Sequence, residues 1–183
     1  MNKAAFLDRD GVINKKAPGD GYITRAEDFE LLPEVPEAIV LLNRAGFLVI
    51  VVTNQRGIAR GLYSQADLAD IHNKMKNDLA AMGARIDDVY SCPHDREPPC
   101  ACRKPSPGML LTAAAEHDID LQNSWMIGDS ESDREAGIRA GCRTVAISSH
   151  TPFANEVTQD LQAESLLAAA KKILSLAGTL LSS

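Results

Sequence analysis

The chain has 183 residues, enough for one slightly large domain with a full core, and its 45% apolar and 24% charged composition is that of an ordinary globular protein. A net charge of −6 and a pI near 5.2 argue against a partner such as nucleic acid or anionic lipid. No apolar stretch approaches membrane-spanning length, and the N-terminal apolar run breaks at Asp8, too early for a secretory core, so a cytoplasmic location is expected.

Lys3 to Leu7 reads as a buried parallel strand that runs straight into Asp8-Arg9-Asp10-Gly11. Asn14 to Phe29 is a loop containing Gly19-Asp20-Gly21-Tyr22. Pro33 to Ala45 has helical spacing, with Val35, Ala38, Ile39 and Leu42 on one face and Gly46 beyond its end. Phe47 to Thr53 is a continuous β-branched and apolar run, which predicts a central strand covered on both faces. Ser64 and Asp67 form a capping-box pattern that opens a helix to about Met82, closed by Gly83.

Ile86 to Ser91 reads as a short strand, Pro107 to His117 as a helix, and Ser124 to Ile127 as another strand. Glu131 to Ala140 is a helix ended by Gly141, and Arg143 to Ile147 is expected to be the last strand. Leu161 to Leu176 carries an amphipathic helical pattern, after which the terminal residues are expected to fray. Alternating strands and helices imply an α/β fold, a doubly wound parallel sheet with right-handed crossovers. With no repeat or linker visible, residues 1–183 read as a single domain, taken to be a monomer.

Chemistry concentrates at the strand ends, where open α/β sheets bind ligands. Asp8 and Asp10 follow the first strand, Thr53-Asn54-Gln55 ends the second, and Arg103-Lys104-Pro105 precedes a helix. Gly128-Asp129 ends a later strand, and Asp133 follows one helical turn on. Each has a plain alternative: Asp-Gly turns are common, Thr53 could be a strand-end residue, Lys104 a solvated cation and Asp129-Ser130 a helix cap. Their succession at strand ends favours one site. Asp8, Asp10 and Asp129 would repel unless a cation sat among them, and hard oxygen ligands suit Mg²⁺. Two carboxylates, Mg²⁺, a hydroxyl and a lysine make a phosphoryl-transfer site, with Asp8 attacking in line, Thr53 donating to an equatorial oxygen, and Lys104 and the metal neutralising the transferred group.

Three of the four cysteines fall between Cys92 and Cys102. Cys92, His94, Cys100 and Cys102 supply three thiolates and an imidazole within a short loop, a closed set that suits structural Zn²⁺ better than catalytic zinc. The alternative is a chance cluster in a Pro-rich loop. Zinc there would replace a missing apolar core and set where Arg103 and Lys104 lie. Cys142 reads as an inert buried thiol; His72, His117 and His150 receive no role.

D-x-D-G, a strand-end Thr, a downstream Lys and G-D-x-x-x-D together resemble the haloacid dehalogenase-like phosphohydrolases over roughly Ala4 to Ile147. The resemblance implies that Asp8 is a nucleophile forming an aspartyl-phosphate. It makes Asp10 the general acid and then base, and gives Mg²⁺ to Asp8, the Asp10 backbone carbonyl and Asp129. No domain-sized insertion separates the motifs, so a capless member is implied.

Within that superfamily, a zinc loop of this kind is shared by heptose bisphosphate phosphatases and histidinol-phosphate phosphatases. Thr53-Asn54-Gln55-Arg56-Gly57-Ile58-Ala59-Arg60-Gly61, Gly19-Asp20-Gly21-Tyr22 and Cys102-Arg103-Lys104-Pro105-Ser106-Pro107-Gly108-Met109 resemble the heptose branch. By that resemblance Asp20, Gly21, Tyr22, Asn54, Gln55, Arg56 and Arg103 line the pocket of a small phosphorylated sugar. The alternatives are histidinol phosphate as substrate, a polynucleotide 3′-phosphatase, which the lack of a basic stripe disfavours, and an inactive zinc-stapled binding module. One departure stands out: members often carry Lys directly after the motif-four Asp, reaching the phosphate, and here the residue is Ser130.

Overall fold

The computed structural model describes residues 1–19, 21–147 and 160–180. Six parallel strands form one sheet in the order β3-β2-β1-β4-β5-β6: β1 (Lys3–Leu7), β2 (Phe47–Asn54), β3 (Asp88–Cys92), β4 (Trp125–Gly128), β5 (Arg143–Ile147) and β6 (Asp160–Ala163). The helices are α1 (Val35–Arg44), α2 (Gln65–Ala81), α3 (Gly108–Glu116), α4 (Glu131–Ala140) and α5 (Leu166–Leu180). Short 3₁₀ turns occupy Ala26–Asp28 and Leu121–Asn123.

The apolar strands show why both faces must be covered. Ala5, Leu7, Val49, Val51, Trp125 and Ile127 enter one core with α1, α2 and α5. Their neighbours Ala4, Phe6, Ile50, Val52 and Met126 enter a second with α3 and α4. Side chains alternate across a strand, so a run that is apolar at every position buries itself twice. Helix α2 opens with the expected box: Asp67 N–H donates to Ser64 Oγ at 3.1 Å, and Ser64 N–H to Asp67 Oδ2 at 2.7 Å.

The C-terminal expectation is corrected. Asp160–Ala163 is a sixth strand paired with β5 through Thr144↔Asp160 to Ile147↔Ala163, and α5 begins only at Leu166. Four residues carry too little periodicity to separate a short strand from an upstream helical turn, and pairing with β5 decides the matter. The helix also continues to Leu180, through part of the stretch expected to fray. None of the described helices is long and apolar enough to cross a membrane.

With this order β1 is central, flanked by β2 and β4. The C-terminal ends of all three strands therefore open onto one crevice, which carries Asp8, Thr53 and Asp129.

Candidate active site

Asp8, Asp10, Thr53, Lys104 and Asp129 line one cavity of about 230 Å³, together with Lys16, Gly21, Tyr22, Asn54 and Asp133. Burial raises the Asp8 carboxyl, as do the Asp133 and Asp10 charges; Lys104 offsets only part of this, and the group ends near 7. Lys104 is itself buried, and its ammonium meets Asp8 Oδ1 at 2.8 Å, Val52 O at 2.7 Å and Asp133 Oδ1 at 2.6 Å. Burial works against the lysine charge, yet Asp133 and Asp8 outweigh it and hold the amine above its usual range. The Asp8 and Val52 contacts are hydrogen bonds, and the third is an ion pair in which the buried Asp133 Oδ1 accepts no hydrogen bond.

Lys104 is also held through its backbone. Asn54 Nδ2 donates to Lys104 O at 3.0 Å, and Lys104 N–H donates to Asn54 Oδ1 at 3.0 Å. Asp133 is fixed in turn by Ser130, whose N–H and hydroxyl both donate to Asp133 Oδ2, at 3.1 and 2.6 Å. Gly128 is required beside it, because a Cβ there would fall 2.2 Å from the Asp133 Cβ.

The Asp10 carboxylate is turned into a donor shell. Arg9 Nη2 donates to its two oxygens at 3.0 and 2.9 Å, Asn14 Nδ2 to Oδ1 at 3.0 Å, and Gln55 Nε2 to Oδ2 at 3.0 Å. Burial would raise this carboxyl, but Arg9 and the amide donors outweigh it and hold it below its usual range. Gln55 Nε2 also donates to Thr53 Oγ1 at 2.8 Å, while Tyr63 OH donates to Gln55 Oε1 at 2.5 Å. Gln55 is 1% exposed, so it supports Asp10 and Thr53 from behind and does not line the cavity.

Sequence reasoning missed Arg9, Lys16 and Tyr63, as well as the role of Asp133. Arg9 is 1% exposed, a burial that a residue between two aspartates in a turn gives no sign of. His72 contributes to its surroundings, with Nε2 3.4 Å from Arg9 Nη1. Lys16 leaves the 14–29 loop and places Nζ 2.6 Å from Asp129 Oδ2. Gly11, at φ +95°, makes room for both: a Cβ there would fall 2.1 Å from Asp129 Oδ2 and 2.5 Å from Lys16 Cε.

The remaining expected pocket residues divide. Gly21, Tyr22 and Asn54 line the cavity, whereas Arg103 lines an adjoining one of about 390 Å³ that shares Asn54 and Lys104. Arg56 is turned away, its Nε 2.5 Å from Asp95 Oδ1. Asp20 lies outside the described residues, as does His150.

Two donor sets fit metals. Carboxylate oxygens of Asp8, Asp129 and Asp133 lie within 4.8 Å of one another, and burial above all, with the Asp133 and Asp10 charges adding to it, raises the Asp8 carboxyl. An all-oxygen set that needs a cation suits Mg²⁺. The four donor atoms of Cys92, His94, Cys100 and Cys102 form the second set, all within 4.8 Å of one another and with five of their six separations between 3.1 and 3.6 Å. Around tetrahedral zinc such edges are about 3.7 Å, so the sulfurs and Nδ1 sit close to the required positions. The cysteines are free thiols, and Cys142 lies apart, buried, with its thiol pushed up to about 12 by that burial. The zinc loop reaches the active site through Arg103 Nη1, which donates to His94 O at 3.2 Å, and through Gln55 N–H, which donates to Cys92 O at 2.8 Å.

The chain matches a family model described as HAD-hydrolase-like over residues 101–169. It is 46% identical over 145 residues to the D-glycero-β-D-manno-heptose-1,7-bisphosphate 7-phosphatase of Rhodopseudomonas palustris, covering 75% of this chain and 79% of that one. Against the D-glycero-α-D-manno-heptose-1,7-bisphosphate 7-phosphatase of Photorhabdus laumondii it is 41% identical over 146 residues, covering 76% and 78%. The crystal structure of the D,D-heptose 1,7-bisphosphate phosphatase of B. bronchiseptica, complexed with magnesium and phosphate, superposes with a TM-score of 0.86 at 35% identity, covering 95% of this chain and 99% of that one. With a doubly wound sheet, five site residues on one cavity and this degree of identity, the chain belongs to the heptose-1,7-bisphosphate 7-phosphatase family of the haloacid dehalogenase-like hydrolases.

Proposed function

We propose that this chain is a Mg²⁺-dependent phosphatase that removes the 7-phosphate of D-glycero-D-manno-heptose 1,7-bisphosphate, a step towards nucleotide-activated heptose. The observation that carries the reading is the convergence of Asp8, Asp10, Thr53, Lys104 and Asp129 on one cavity. Asp8 attacks phosphorus in line: an Oδ–P bond forms, the bond from phosphorus to the sugar oxygen breaks, and that oxygen takes a proton from Asp10, whose carboxyl must first leave the Arg9, Asn14 and Gln55 donors that hold it ionised and take up a proton. Asp10 then takes a proton from water, which attacks the aspartyl-phosphate and releases phosphate, restoring Asp8. Thr53, held by Gln55, donates to an equatorial phosphoryl oxygen.

Lys104 places a fixed positive charge beside Asp8 and keeps the carboxylate poised. Asp8, Asp129 and the Asp10 carbonyl would hold Mg²⁺, which supplies charge neutralisation at the transferred group. Gly21, Tyr22 and Asn54, which line the cavity, would meet the sugar, and Arg103, which lines the adjoining one, would meet the remote end. The family resemblance also puts Asp20 and Arg56 in the pocket, although the Arg56 side chain must first leave Asp95 to reach it. The zinc loop is structural, since four protein ligands leave no open position. A single monomeric cytoplasmic domain is the form proposed, acting on a small phosphorylated sugar rather than nucleic acid, in keeping with the net charge of −6.

The relatives carry both anomeric names, so the deciding assay is kcat/KM on the α and β bisphosphates beside histidinol phosphate. Preference for one bisphosphate, with turnover abolished in Asp8→Asn, is expected. Preference for histidinol phosphate would move the chain to the other branch. No hydrolysis of any phosphomonoester with Mg²⁺ would revive the binding module.

A further inference from the structure

A phosphoryl site needs cations that can touch the transferred oxygens, and most of the nearby cations here are committed elsewhere. The Lys104 ammonium donates to Asp8 and to the Val52 carbonyl and is ion-paired with both Asp8 and Asp133. Arg56 is paired with Asp95, and Arg103 lines the adjoining cavity while donating to His94 O. Ser130 follows Asp129 and brings no charge. Among the described residues that line the active-site cavity, Lys16 is the one other cation. Its side chain is 55% exposed, and its ammonium meets a single carboxylate oxygen, Asp129 Oδ2, at 2.6 Å. The approach is built into the turn: the Lys16 stem passes over Gly11, where a Cβ would fall 2.5 Å from its Cε.

We propose that Lys16 is a tethered cation of the phosphoryl site, balancing Asp129 when no metal ion is bound and presenting its ammonium to a phosphoryl oxygen once Asp129 serves as a metal ligand. The inference rests on the phosphatase reading above and adds to it a substrate-contacting residue from a loop that the motifs do not include. The chemistry is direct. A carboxylate oxygen cannot take both an ammonium and Mg²⁺ at full strength, so the two compete for Asp129. A released ammonium beside a dianion forms a charge-assisted hydrogen bond that a water cannot match. Its long, flexible, half-exposed side chain allows the exchange without backbone movement.

The test uses Mg²⁺ and inorganic phosphate as ligands and calorimetry as the readout, on the zinc-loaded protein. In Lys16→Met and Lys16→Gln, Mg²⁺ should bind tighter than in wild type, by about threefold, because a competitor for Asp129 is gone. Phosphate in the presence of saturating Mg²⁺ should bind about tenfold more weakly, the loss of one charge-assisted hydrogen bond. Lys16→Arg should recover most of the phosphate affinity. Unchanged or weaker Mg²⁺ binding in both neutral variants, or unchanged phosphate affinity, overturns the proposal. Failure of the phosphatase reading would show separately, as absent turnover of the bisphosphate by the wild-type protein, because neither calorimetric titration depends on the sugar.

Discussion

Lys104 Nζ lies 2.6 Å from Asp133 Oδ1, with the two side chains 2% and 1% exposed. The pair joins the loop after the zinc cluster to the first turn of α4, so the residue that balances Asp8 is itself balanced from the next strand's helix. Breaking such a pair leaves a buried charge without its partner, and the cost exceeds whatever the intact pair contributes.

Asp133→Asn should therefore destabilise the fold by about 3 kcal/mol or more, read from urea denaturation, and should lower turnover with it. A loss below about 1 kcal/mol would mean that Lys104 finds compensation from Asp8 alone, which the geometry argues against.

Asp10→Asn should reduce kcat by about 10²–10⁴-fold for want of general acid–base help. The amide keeps the shape of the carboxylate but leaves the Arg9 guanidinium without a counter-ion. Covalent trapping makes the loss informative: a beryllium fluoride adduct should still form on Asp8 in this variant and be absent in Asp8→Asn. An adduct of equal occupancy in both would exclude Asp8 as nucleophile.

Selectivity should reside at Arg103. This residue lines the adjoining cavity and is tied to the zinc loop through the His94 carbonyl. Arg103→Ala should lower kcat/KM for the bisphosphate sharply, by about tenfold or more, and scarcely change it for p-nitrophenyl phosphate, which has no remote phosphate to bind. Lys104→Ala should damage both. Equal losses on the two substrates for Arg103→Ala would place it outside the recognition of the remote end.

Elemental analysis should find about one zinc per chain, and the ion should survive an EDTA treatment that removes Mg²⁺. Activity should then return on adding Mg²⁺ alone. Cys100→Ser should lose zinc and thermal stability, and with them the order of the segment that carries Arg103 and Lys104. A zinc-free wild-type protein and an unaltered Cys100→Ser variant would together remove the structural role from this loop.

His72 predicts a pH effect with a definite sign. Burial first, and then the Arg9 charge, push its imidazole down to about 3 from 6.5. The unfolded chain takes up a proton as pH falls below 6.5, whereas the folded one resists until about 3, so stability is full above that window and declines through it. His72→Gln should flatten the decline in denaturation midpoint between pH 6.5 and about 4. An unchanged slope would show that His72 protonates freely in the folded state.

Much of this architecture was local enough to read from residues alone. The Phe47 run announces a doubly covered strand, Ser64 and Asp67 announce the start of α2, and aspartates that follow apolar runs lie at strand ends in any parallel sheet. The cysteine and histidine spacing likewise determined a tetrahedral donor set without reference to the fold. These features depend on neighbours a few positions away, and backbone geometry turns that spacing into direction. Other relationships rest on contacts that sequence separation hides. Asp160–Ala163 became a strand because β5 offered its edge, and Lys104 meets Asp8 across 96 positions. Burial of Arg9 depends on Asp10, Asn14 and His72 closing around it, and the reach of Lys16 to Asp129 depends on the space over Gly11. Pattern and spacing specify elements and donor types, but which charge meets which is set by long-range packing, where a single ångström changes the partner.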